Sequence, residues 1–175
     1  MYRIALQRFF FSLLVVLAIS GFMLPQGIVE GRPLVVGDSV FTSRTNNALN
    51  LLNEKSLSGW DVVCKYVGKI KQYHRSGMNV YAIPPTFEVG EDTFRASVTW
   101  YASAIAHDAY HSKLYFEYLE KHGSVPHEVW TGNDAEMQCL EFQIQILEEI
   151  GAPQSEIKYA KSLVGTNWWD GERNW

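Results

Sequence analysis

Residues Thr93 to Lys121 carry one long helical pattern that is stopped by Gly123 and Pro126, so the fold has to be assembled around a long helix. Ala102, Ala104, Ala106 and Ala109 within it are small enough to let a neighbouring element pack closely. After a polar stretch from His122 to Asn133, a second helical pattern runs from about Asp134 to Ile150. It has Ala135, Cys139, Phe142 and Ile146 on one stripe and Leu140 and Leu147 on the next, and Gly151 and Pro153 end it. A short helix from about Ser155 to Leu163 precedes Gly165 and an aromatic tail with Trp168, Trp169 and Trp175.

The residues before the long helix add a small β component. Arg32 to Ser43 contains the β-favouring groups Leu34-Val35-Val36 and Val40-Phe41. Thr45 to Gln72 reads as two helices or one broken helix, interrupted at Ser58-Gly59 and ended by His74-Arg75-Ser76-Gly77, with His74 resembling a helix C-terminal residue. Met78 to Val89 reads as a strand, and Pro84-Pro85 inside it confines it to an edge or a bend. The fold class is therefore α+β, mostly helical with a small sheet. A chain of 175 residues that is 47% hydrophobic supports one domain with a real core. The formal charge of −4 contains no run of either sign, so nucleic acid is not an expected partner.

Met1 to Gly31 is built like an export signal. Arg3 and Arg8 form a positive start, Phe9 to Leu24 is an apolar run, and Pro25-Gln26-Gly27 closes it. The segment is either cleaved or retained as a membrane anchor, and residues 32–175 form the domain, exported to the cell surface, the periplasm or the medium. In such a compartment the even pair Cys64 and Cys139 reads as a disulfide, the alternative being two buried thiols.

The chemistry lies on the long helix. His107 and His111 are four residues apart and so project from adjacent turns on one side, a spacing at which two imidazoles reach one zinc ion. A third ligand has to come from elsewhere, and Glu136, in the first turn of the next helix, is the best candidate. It also fits a capping box, three residues after Asn133. Asp108 between the histidines is either solvent-facing, paired with Lys113, or functional. Tyr101, Tyr110, Tyr115 and Tyr118 surround the same helix, and nothing selects one of them as an oxyanion donor.

His107-Asp108-Ala109-Tyr110-His111 followed by Glu136 resembles the active helix and glutamate helix of small zincin metallopeptidases of the gluzincin type, whose motif is H-E-x-x-H. The resemblance covers roughly residues 78 to 150. It implies a minimal zincin-like domain, zinc held by His107, His111 and Glu136, a peptide or protein substrate, and Asp108 in the place of the general base. It also implies an extended substrate beside the Met78 to Val89 edge. Asp108 departs from the motif, because aspartate is one methylene shorter than glutamate. Two other functions remain open: a zincin-like binding protein with impaired catalysis, and a metal phosphohydrolase built on the His107-Asp108 pair with His74 and Asp134.

Overall fold

The structure, a computed structural model, describes residues 31–167. Nearly all of the expected export segment, together with Trp168, Trp169 and Trp175, lies outside the described residues. The described chain opens with strand β1 (Leu34–Val36), and Asp38 then caps helix α1 (Ser39–Lys55) by accepting a hydrogen bond from the Phe41 amide at 2.8 Å. Val40 and Phe41 are thus helical in spite of their β preference, because Phe41 is drawn into the core against Phe94.

The break expected at Ser58-Gly59 falls instead at Ser56, which separates α1 from α2 (Leu57–Tyr66). Its Oγ accepts from the Gly59 amide at 3.1 Å and donates to Glu149 Oε2 at 2.6 Å. Gly59 lies inside α2 for a packing reason: a Cβ there would come within 2.8 Å of Ser56 Oγ and 3.0 Å of Ile146. Ser56→Ala removes a cap and a charged hydrogen bond together, so it should lower stability by about 1–2 kcal/mol in urea unfolding.

Lys69 to Gln72, the end of the expected helical stretch, forms strand β2 (Lys69–Gln72). His74 follows it in an exposed loop and ends no helix. The single strand expected over Met78 to Val89 is a hairpin of β3 (Gly77–Asn79) and β4 (Thr86–Val89). Pro84 and Pro85 lack amide protons, and they occupy the connection between the two strands. The strand order is β1-β2-β4-β3, with β1, β2 and β4 parallel and β3 antiparallel to β4 at the edge. Only β3 is therefore an edge in the expected place, while β4 is interior.

The long helical pattern is interrupted once, between α3 (Glu91–Arg95) and α4 (Val98–His122). Arg44 donates to the Phe94, Arg95 and Ala96 carbonyls exposed by that break, and Ser97 caps α4 through the Trp100 amide. Gly123 closes α4 at φ 75°, a left-handed conformation that suits glycine. A short helix, α5 (Glu128–Thr131), follows within the expected loop, and then come α6 (Asn133–Glu149) and α7 (Gln154–Leu163).

Helix α4 runs through the middle of the helical layer, packed on α1, α2 and α6, and it also touches β3 and β4. Ala102, Ala106 and Ala109 are fully buried there, as close packing on several sides requires. Phe41, Leu49, Ile70, Phe87, Ile105 and Leu147 are among the fully buried side chains that join the sheet to the helices. The observed class is α+β, mostly helical with a four-stranded mixed sheet.

The expected Cys64–Cys139 disulfide is not formed, and both cysteines are free. Cys64 is half-buried on α2, whereas Cys139 is fully buried on the face of α6 turned toward α4. Cysteine number alone could not bring the two Cα atoms within bonding range. No helix among the described residues is long and apolar enough to cross a membrane.

Candidate metal centre

Helix α4 presents His107 and His111 one turn apart, each 7% exposed, and the first turn of α6 brings Glu136, 5% exposed, against them. The two Nε2 atoms are 3.2 Å apart, and Glu136 Oε2 lies 3.5 Å from that of His107 and 3.6 Å from that of His111. A triangle with these edges has one point about 2.0 Å from all three corners. That is the bond length expected between zinc and an imidazole nitrogen or a carboxylate oxygen. Three residues named from sequence thus meet at one place, with donor atoms spaced so that one ion could reach all three.

Further groups shape the centre. His111 Nδ1 lies 2.6 Å from the Trp130 carbonyl, which can only accept, so Nδ1 carries a proton and Nε2 is the nitrogen turned toward Glu136. Helix α5, within the loop, carries that carbonyl, and Trp130 itself is packed by Tyr81, Tyr115 and His127. Cys139 follows Glu136 by three residues, nearly one turn along the buried side of α6. Its Sγ and a ring nitrogen of each histidine all lie within 4.8 Å of one another, so the buried group His107, His111 and Cys139 is a second donor set that could hold a metal ion.

The charges are arranged for a cation. Burial pushes the Glu136 carboxyl up, but the hydrogen bonds and charge of His107 and His111 outweigh it and hold Glu136 well below the usual carboxylate range. Burial works against a charged His111, yet Cys139 and Glu136 beside it raise its pKa well above the ordinary value. Burial also pushes the Cys139 thiol up. A thiol so raised is neutral at pH 7, and the ionised Glu136 is therefore the anion that supports charge on His111. A proton and a cation would compete for the same His111 nitrogen.

A cleft opens onto the centre from two sides. Its two halves, about 380 and about 490 Å³, share Ser76, Gly77, Asp108, His111 and Glu136. Asp108, half-buried, thus lies at the junction, directly after His107 and three residues before His111, and lines the cleft from α4. Strand β3 borders the junction through Gly77, and in the second half also through Met78 and Asn79. Among the described residues no strand pairs with its outer side.

Other sequence candidates fall elsewhere. His122 and His127 are exposed, His127 is hydrogen-bonded to Thr131, and Asp134 is exposed and lines neither half of the cleft. His74 lines the second half. None of Tyr101, Tyr110, Tyr115 and Tyr118 lines the cleft, and Tyr101 is buried with its hydroxyl 2.8 Å from Thr45 Oγ1. The cleft tyrosines are Tyr73, Tyr81 and Tyr159. Cys139 was legible as a neighbour of Glu136 through the E-x-x-C spacing, but the disulfide expectation claimed it. The Trp130 carbonyl, being backbone, carries no sequence signal.

No protein-family model, curated protein or solved structure matches the chain.

Proposed function

We propose that the protein is a zinc-dependent metallopeptidase on a minimal zincin-like scaffold, with His107, His111 and Glu136 as the ligands. The observation that carries this reading is the three-donor triangle at the floor of a cleft bordered by an unpaired strand edge. When bound, zinc supplies Lewis-acid chemistry, making water a nucleophile near neutral pH and polarising the scissile carbonyl.

The chain's own residues do the rest. Strand β3 offers backbone donors and acceptors to an extended peptide and lays it across the junction of the two halves. Asp108 takes a proton from the attacking water and returns it to the leaving amine. The Trp130 carbonyl fixes the His111 ring, and so its ligating nitrogen, in one orientation. Residues 1–31, read as an export signal or anchor, put this activity outside the cytoplasm.

The test is hydrolysis of a diverse peptide mixture by purified protein, read by mass spectrometry, before and after removal of metal with a chelator. Cleavage that stops on chelation and returns with one equivalent of zinc supports the reading. Zinc bound at the centre with every peptide intact would replace it with the second reading, a zincin-like binding protein, which the shorter side chain of Asp108 favours. A phosphohydrolase built on His107 and Asp108 has less support, since the Asp134 it calls for is exposed and away from the cleft.

A further inference from the structure

The smaller half of the cleft contains a polar atom that neither the metal centre nor the fold uses. Gln143 lies on α6 two turns beyond Glu136, is 5% exposed and lines this half. Its Nε2 is 3.2 Å from Ser103 Oγ, and Ser103 Oγ donates its only proton to the Trp100 carbonyl at 2.8 Å. Ser103 must then accept from Gln143, which fixes the amide orientation through the network. The atom left over is Oε1, an acceptor that this pair does not use and that is not sealed from solvent. An occupant that displaces water from this acceptor loses that hydrogen bond unless it brings a donor of its own.

The rest of the lining narrows what that occupant is. Trp100 and Tyr159, with ring centroids 5.5 Å apart, and Leu163 give an apolar and aromatic wall. Asp92 and Asp108 are the other acidic groups besides Glu136, and no lysine or arginine lines this half. Aromatic faces favour a cation, the carboxylates favour positive charge, and the apolar wall favours an aliphatic stem.

We infer that this half of the cleft is a side-chain pocket for lysine or arginine of a peptide substrate, with Gln143 Oε1 as the acceptor for its cationic tip. The inference deepens the peptidase reading and rests on it for the peptide. A leucine or phenylalanine would fill the wall but leave Oε1 unpaired, and a tyrosine would bring a donor without the charge. Gln143 is thus a specificity-determining residue, and Trp100 and Tyr159 hold the stem.

Two measurements made together test it. In the first, zinc-loaded protein digests a peptide mixture and the cleaved bonds are mapped. Lysine or arginine at one fixed position beside the bond should be enriched at least about tenfold over leucine, phenylalanine and tyrosine. Gln143→Leu should erase that enrichment and turn it toward leucine and phenylalanine, while Gln143→Glu should strengthen it. In the second, metal-free protein is titrated by NMR with Gly-Gly-Lys-Gly-Gly and Gly-Gly-Leu-Gly-Gly. The lysine peptide should bind at least about tenfold tighter, and Gln143→Leu should remove the difference.

Cleavage without basic preference, or equal or tighter binding of the leucine peptide, would overturn the pocket while leaving the peptidase reading intact. Selective binding of the lysine peptide with no cleavage of any peptide would support the pocket and overturn the peptidase reading.

Discussion

Replacing His107 and His111 together by alanine should abolish stoichiometric metal binding and all metal-dependent hydrolysis. Both imidazoles reach the point that also serves Glu136 Oε2, and one carboxylate left alone provides a single donor where three are needed. The double variant should also be less stable even without metal. Glu136 is buried and held ionised by the two histidines, and the double variant takes both away from its charge. Breaking a buried ion pair from one side costs about 3–5 kcal/mol. Adding Glu136→Gln to the double variant removes that buried charge, so the triple variant should recover stability without recovering metal. Elemental analysis and urea unfolding on the same preparations separate the two effects. Full metal occupancy in the double variant would contradict the centre.

Asp108→Asn should lower kcat by about 10²- to 10⁴-fold with metal content unchanged, the range found when a general base is removed. Asparagine keeps the size and polarity of the side chain but cannot take a proton. Asp108 lines the cleft at the junction of its halves, whereas the proposed metal donors lie on the neighbouring residue, one turn on and one helix away. Asp108→Glu extends the carboxylate by one methylene toward the reacting centre, and kcat should rise above that of the natural chain. Steady-state kinetics with zinc content measured alongside checks both variants. Equal rates for Asp108→Asn and the natural protein would remove Asp108 from the chemistry.

Much of this centre could be read from the chain because helices report their faces in sequence. The four-residue spacing of His107 and His111 has one structural meaning on a helix. Glu136 follows from the stripe it shares with Leu140, Gln143 and Leu147, and all four face inward together. The stop signals at Gly123 and Gly151 also ended their helices within a residue or two of the expected place.

The misreadings share a physical cause, which is that tertiary contact outweighed local preference. Val40 and Phe41 prefer strands but are held helical by the Asp38 cap and by burial of Phe41 on Phe94. Lys69 to Gln72 continued a helical pattern of apolar spacing, yet pairing with β1 and β4 made it a strand. Gly59 reads as a helix breaker in sequence, and it is a contact residue whose small size lets α2 approach Ile146 of α6. The cysteines were assigned to each other on number and compartment, while Cys139 is buried beside His111 and Cys64 is half-buried on another helix. The role of Gln143 depends on a hydrogen bond to Ser103, 40 positions away, and no pattern in sequence points to such a partner.

The measurement that bears most directly on the centre is X-ray absorption at the zinc edge of protein loaded with one equivalent of zinc. The His107, His111 and Glu136 centre predicts imidazole nitrogens and light oxygen donors at about 2.0–2.2 Å and no sulfur. A sulfur shell at about 2.3 Å would contradict it and place the metal on His107, His111 and Cys139 instead.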